Sequence, residues 1–137
     1  MKGHFFGGLI FQFRGFLVVR YRTLTQNREF TRVYTRGKSF VHPLLVTYVA
    51  KTRNNDVRIG ITASKKIGNA VTRNRARRVI RAALQQTLPT DIGHYDLVFV
   101  ARGKTAKSKS WQLEKIMKKQ LECAGILQNA SVTETEL

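Results

Sequence analysis

The residues of this chain best equipped for chemistry are positive charges. Between Lys65 and Arg81 the sequence reads KKIGNAVTRNRARRVIR, which carries Lys65, Lys66, Arg73, Arg75, Arg77, Arg78 and Arg81 and no acidic residue. Arginine predominates, and its planar guanidinium matches two oxygens of a phosphate at once. The segment also has a helical period. Ala76, Val79, Ile80, Ala83 and Leu84 recur at i, i+3, i+4, i+7 and i+8 and form one apolar stripe. At ~100° per residue, Asn74, Arg77, Arg78 and Arg81 are expected opposite that stripe, with Arg75 at the far edge of the polar arc and Arg73 near its boundary. Gly68-Asn69 supplies a turn and an N-cap. The plain alternative is a solvated basic face. Yet no Asp or Glu at i±4 relieves the repulsion, so the face is costly until a polyanion neutralises it. Release of condensed counterions then drives binding, with strong salt dependence.

Hydrolytic chemistry needs other groups, and they are scattered. The acidic residues are Glu29, Asp56, Asp91, Asp96, Glu114, Glu122, Glu134 and Glu136, with no Asp-x-Asp pair and no cluster for metal ions or acid–base work. His4, His42 and His94 are isolated, and His42 and His94 read as loop or strand-end residues. Gly7-Gly8 lacks the following lysine of a phosphate-cradling loop. The chain by itself shows no active site.

The elements that must position the basic helix follow from the rest of the sequence. Thr25-Gln26-Asn27 offers N-caps for a first helix over 26–36, where Phe30, Val33 and Tyr34 share a face and Gly37 stops it. Residues 39–51 are rich in β-formers. Asn54-Asn55-Asp56 marks a turn, and Val57, Ile59, Ile61 and Ala63 alternate with Arg58, Gly60 and Thr62 as a half-buried strand. The basic helix ends at Pro89 and Gly93, Tyr95–Ala101 reads as a buried strand, and 102–109 as a basic loop. Ser110 caps a last helix with Trp111 at its start, Leu113, Ile116, Met117, Gln120, Leu121 and Ala124 inside, and Gly125 at its end. The order α, two or three strands, α, β, α predicts an α+β sandwich with helices packed on a small sheet.

The 137 residues suit one domain, and 25 Lys and Arg against 8 acidic residues give a formal charge of +17, spread over the whole chain rather than on a terminal amphipathic helix. That disfavours a membrane-surface protein. Cys123 is alone, which excludes a disulfide framework; it reads as a buried or half-buried filler in a reducing, cytoplasmic setting. Residues 1–20 include the apolar run 5–19, too short and too interrupted by Gln12 and Arg14 to span a bilayer, and read as an appendage outside the fold. A start near Val18 or Val19 is the alternative. Residues 128–137 read as a disordered acidic tail.

The stretch Arg58 to Arg78, RIGITASKKIGNAVTRNRARR, closely resembles the signature of the bacterial ribonuclease P protein subunit, with Ser64, Lys65, Lys66, Gly68, Asn69, Ala70, Val71 and the Arg73-Asn74-Arg75 triplet in place. Asn27-Arg28-Glu29-Phe30 with Val33, Tyr34 and Gly37 is similar to the family's first helix, and Tyr95 to Arg102 to its last strand. The resemblance covers roughly 21–127. It implies a small, mainly antiparallel four-stranded sheet with three helices, a split βαβ with a left-handed crossover, as in the second domain of ribosomal protein S5. It implies a subunit of an endoribonuclease that removes the 5′ leader of precursor tRNA. In such enzymes the RNA subunit holds the Mg2+ and performs the hydrolysis. The implied partners are that catalytic RNA and precursor tRNA, with no membrane and no small-molecule substrate. Lys65, Lys66, Asn69, Arg73, Asn74, Arg75, Arg77, Arg78 and Arg81 match positions that face the RNA subunit. Phe30, Tyr34 and Tyr48 match the leader cleft, with Arg28 and Arg58 as phosphate contacts near it. Stacking of single-stranded bases on aromatic rings beside a basic groove fits that role, whereas core packing is the plain role of such aromatics. A general or ribosomal RNA-binding protein and an independent RNA nuclease are the competing classes.

Overall fold

The computed structural model of the chain describes residues 10–13, 16–19, 21–88 and 93–127. The expected acidic tail, the first nine residues of the expected appendage and Pro89 lie outside them. Within the appendage two short strands, β1 (Ile10–Phe13) and β2 (Phe16–Val19), pair antiparallel with each other in a sheet of their own.

The main sheet holds β3 (Arg22–Thr23), β4 (Lys38–His42), β5 (Leu45–Lys51), β6 (Arg58–Thr62) and β7 (Tyr95–Ala101) in the order β3-β6-β7-β5-β4. Pro43-Leu44 splits the β-rich run 39–51 into a hairpin, and His42 Nδ1 accepts the Leu44 N–H at 3.0 Å to close the turn. The chain then crosses by a helix to return parallel, so β6 pairs β7 in parallel, while β5 runs antiparallel to both β4 and β7. The expectation of four mainly antiparallel strands is therefore corrected: the sheet is mixed and has five. The fifth, β3, adds parallel to β6, tied by Leu24 N–H to the Ile59 carbonyl at 3.0 Å. Two residues are too few to carry an alternating pattern, which is why the sequence does not announce it.

Three helices cover the sheet: α1 (Asn27–Arg36) on one face, α2 (Ala70–Thr87) and α3 (Ser110–Cys123) on the other. The larger core lies under α2 and α3. Ile59, Leu97, Phe99 and Leu45 from the strands meet Ile80, Leu84, Leu113, Met117 and Leu121, all buried. Ile80 and Leu84 each contribute about 2 kcal/mol by burial, enough to hold down a helix whose arginines repel one another. Buried polar groups here are paired. Thr47 Oγ1 donates to Gln120 Oε1 at 2.7 Å, and the Gln120 amide donates to the carbonyls of Phe40 and Leu45. Thr105, in a 3-10 turn within the expected loop 102–109, donates to the Leu44 carbonyl.

Two expected details change at α3. Its N-cap is Lys109, whose N–H is taken by Gln112 Oε1 at 2.8 Å, and Ser110 is the first helical residue. Cys123 is exposed. It lies two residues beyond buried Leu121, ~200° around the helix, and so faces solvent.

Candidate nucleic-acid interface

The basic segment starts where β6 ends. Lys65–Ile67 makes a 3-10 turn that leaves Lys65 and Lys66 exposed. Gly68 follows at φ +146°, ψ −167°, a region open only to glycine. This reverses the chain so that Asn69 can cap α2, its Oδ1 accepting the Thr72 N–H at 2.9 Å. With the carbonyl oxygen engaged, the Asn69 amide group keeps its two donors.

On α2, Arg75, Arg78 and Arg81 are exposed, as is Asn74. Arg73 and Arg77 are half-buried: Arg73 donates to the Gly68 carbonyl at 3.1 Å, and Arg77 donates to Asn74 Oδ1 at 3.0 Å and the Ala63 carbonyl at 3.5 Å. Arg77 was expected opposite the apolar stripe. It is three residues from Ile80 at the stripe's centre, only ~60° away, and so lies on the flank. Arg73 and Arg77 thus brace the turn at the end of β6, while Arg75, Arg78 and Arg81 offer their charge outward.

The other face of the sheet shows three rows of side chains, read from the strand register. Ala50, Asp96 and Arg58 form one row, Ser39, Tyr48, Val98 and Gly60 the next, and Val41, Val46, Val100 and Thr62 the third. Helix α1 crosses the first two rows with Val33 buried beneath it. Phe30 packs onto Gly60, where an added Cβ would lie 2.4 Å from the ring; the strand glycine is what admits the helix this close. Tyr34 stands edge-on to Tyr48, with ring centroids 4.8 Å apart, and Phe30 lies 6.5 Å from Tyr34. Tyr34 keeps 40% of its surface exposed and Val41 keeps 69%. In the third row Val41 is exposed, Thr62 and Val100 are half-buried and Val46 is buried, and this aromatic-edged strip of sheet beside the helix is the groove. Its mouth is the sheet end that carries Lys65, Lys66 and Arg102. The three expected cleft aromatics are therefore brought together.

Arg28 is exposed on α1. Arg58 is placed differently from the expected phosphate contact. Its Nε and Nη2 donate to the two oxygens of Asp96 at 2.9 and 2.7 Å, and its Nη1 donates to Glu29 Oε2 at 3.0 Å. Asp96 is buried, and the Arg58 side chain is 17% exposed. Glu29 also accepts the N–H groups of Gln26 and Thr25, both at 2.9 Å, closing the first turn of α1. Those backbone hydrogen bonds, aided by the Arg58 charge, hold the Glu29 carboxyl below its ordinary pKa. The Asp96 hydrogen bond raises that of Arg58. Arg58 is thus a clamp fixing the start of α1 to β7. Glu29, Asp96 and Gly60 are positioning residues that sequence reasoning missed. A capping-box Glu three residues into a helix was the one available signal. Among the described residues, no group of three or more His, Cys, Asp or Glu could hold a metal ion, and no helix is long and apolar enough to cross a membrane.

The fold and these two surfaces define an α+β protein that offers a cationic turn and helix on one side and a groove edged by aromatic rings on the other. The Ribonuclease P family model matches residues 19–125. The chain is 38% identical to the ribonuclease P protein component of Clostridium beijerinckii over 82% of this chain and 95% of that protein. It is 42% identical to that of Clostridium novyi over 75% and 93%. Among solved structures it is similar to the Staphylococcus aureus RNase P protein, with a TM-score of 0.64, 28% identity and coverage of 76% of this chain and 95% of that one. The Thermotoga maritima RNase P protein shares the fold at a TM-score of 0.62 and 23% identity, over 74% and 96%. This chain belongs to the ribonuclease P protein component family.

Proposed function

We propose that this chain is the protein subunit of a ribonucleoprotein endoribonuclease in the cytoplasm and assists removal of the 5′ leader from precursor tRNA. In this reading Lys65, Lys66, Asn69, Arg75, Arg78 and Arg81 contact the catalytic RNA subunit, with Arg73, Asn74 and Arg77 shaping that surface. Phe30, Tyr34 and Tyr48 line the path of the single-stranded leader, and Arg28 reaches its phosphates. The RNA subunit holds the Mg2+ and carries the hydrolysis, which suits a chain whose acidic residues are dispersed. The left-handed hand of the β6-α2-β7 crossover and kinship with the ribosomal protein domain belong to the same reading.

The observation that carries it is the meeting of the aromatic groove with the basic turn at one end of the sheet. Single-stranded RNA needs rings for its bases and cations for its phosphates, and a stacked base contributes ~1–3 kcal/mol. The test is binding of precursor tRNA with and without its leader to the RNA subunit, each with and without this protein. A gain in affinity that requires both protein and leader supports the groove. An equal gain for leaderless tRNA contradicts it.

A further inference from the structure

Helix α1 has a second flank. Measured from buried Val33, Phe30 and Tyr34 turn ~60–100° to one side, and Arg32 and Arg36 turn a similar angle to the other. The aromatic flank faces the groove. The basic flank faces the opposite end of the sheet, where β5 ends at Lys51 and the chain turns through Thr52, Arg53 and Asn54. Between them lies a pocket of about 510 Å³ lined by Arg32, Arg36, Lys51, Arg53, Asn54 and Asp96. Arg32, Arg36, Lys51 and Arg53 are exposed. The ion pairs among the described residues use only Arg22 and Arg58 as cations, so these four have no acidic partner there. Asp96 at the pocket's floor is buried and chelated by Arg58, which offsets its charge toward an incoming anion.

We infer that this pocket is a second phosphate-binding subsite for the RNA leader, upstream of the part held in the aromatic groove. The inference rests on the leader reading above. Four cations with no acidic partner among the described residues converge on one concavity, repel one another and invite a polyanion. An α-helix is only ~10 Å across, so a strand leaving the groove over α1 arrives at this pocket, with exposed Arg28 on the outer surface of the helix. No base-stacking ring lines the pocket, so it takes the backbone and tolerates any sequence.

The test uses the full chain assembled with a ribonuclease P RNA. Two precursor tRNAs are compared, one with a leader ending within the groove and one several nucleotides longer. The variants are Arg36→Gln/Arg53→Gln and, separately, Arg32→Gln. The expected result is that the unchanged protein gains affinity when the leader is lengthened and that the double variant loses this gain several-fold. Its salt slope on the long leader falls by ~0.7 per lost contact, and the short-leader affinity is unchanged, which also shows the variant folded. Equal affinities of variant and unchanged protein on the long leader would overturn the subsite. A loss shared by both leaders overturns it as well and assigns the cations to another RNA surface. If the unchanged protein gains nothing from any leader, the groove reading itself fails.

Discussion

Replacing Arg58 with methionine separates the two surfaces of the protein. Methionine keeps much of the apolar stem but removes three hydrogen bonds of 2.7–3.0 Å to Asp96 and Glu29. Asp96 is 1% exposed and loses its charged partner. Removing one partner of a buried pair costs ~3–5 kcal/mol. Arg58 retains 17% exposure, which lets water reach the site and places the cost near the lower end, about 3 kcal/mol. At a urea slope of ~1–3 kcal/mol/M, that moves the unfolding midpoint down by at least about 1 M. Because Glu29 is released too, α1 loses its tether to β7, and leader affinity falls. The arginines of α2 lie across the sheet and are untouched, so binding of the RNA subunit by the folded variant is retained. The companion variant Arg58→Met/Asp96→Leu removes both charges and recovers most of the stability, since apolar replacement of a buried pair is close to neutral. The assays are urea unfolding followed by circular dichroism and the leader-dependent binding measurement. A single-variant cost below about 1 kcal/mol, or a double variant no more stable than the single, refutes the clamp.

Other perturbations address the remaining parts. Arg75→Ala/Arg78→Ala lowers the salt slope of RNA-subunit binding by up to ~0.9 per contact while changing stability by less than ~0.5 kcal/mol each; an unchanged slope means that neither touches phosphate. Tyr34→Ala removes an exposed ring and weakens binding of leader-bearing substrate by ~1–3 kcal/mol, with leaderless tRNA unaffected; equal loss on both rejects its place in the groove. Glu29 has a lowered pKa in the folded state, so its stabilisation is complete above the unfolded pKa and is lost as pH falls through the folded one. Urea midpoints measured across the acid range therefore drop less steeply in Glu29→Gln than in the unchanged protein, and parallel curves contradict this.

The basic turn and helix were legible because their signals are local: seven charges, an apolar stripe, and Gly68-Asn69 all lie within twenty residues. The burial of Ile80 and Leu84 and the capping by Asn69 follow from that spacing. That Phe30, Tyr34 and Tyr48 come together was suggested only by family resemblance, since no periodic relation links Tyr48 on a strand to the two rings of α1. Arg58 illustrates the limit. Its partner Asp96 is 38 residues away, and the two meet because parallel pairing places them in register. Read alone, Arg58 is one more cation on a basic chain. The pocket beside Arg32 and Arg36 was hidden for a similar reason: it joins a helix flank to a turn beyond the end of β5. Strand β3 is too short for any pattern.

The most direct test of the proposed role is reconstitution. The purified protein is mixed with a bacterial ribonuclease P RNA at low magnesium, and 5′-leader cleavage of a precursor tRNA is followed. The expected result is cleavage at a magnesium concentration where neither component alone is active. Binding of the RNA without any rescue of cleavage would contradict the assignment and leave a general RNA-binding protein.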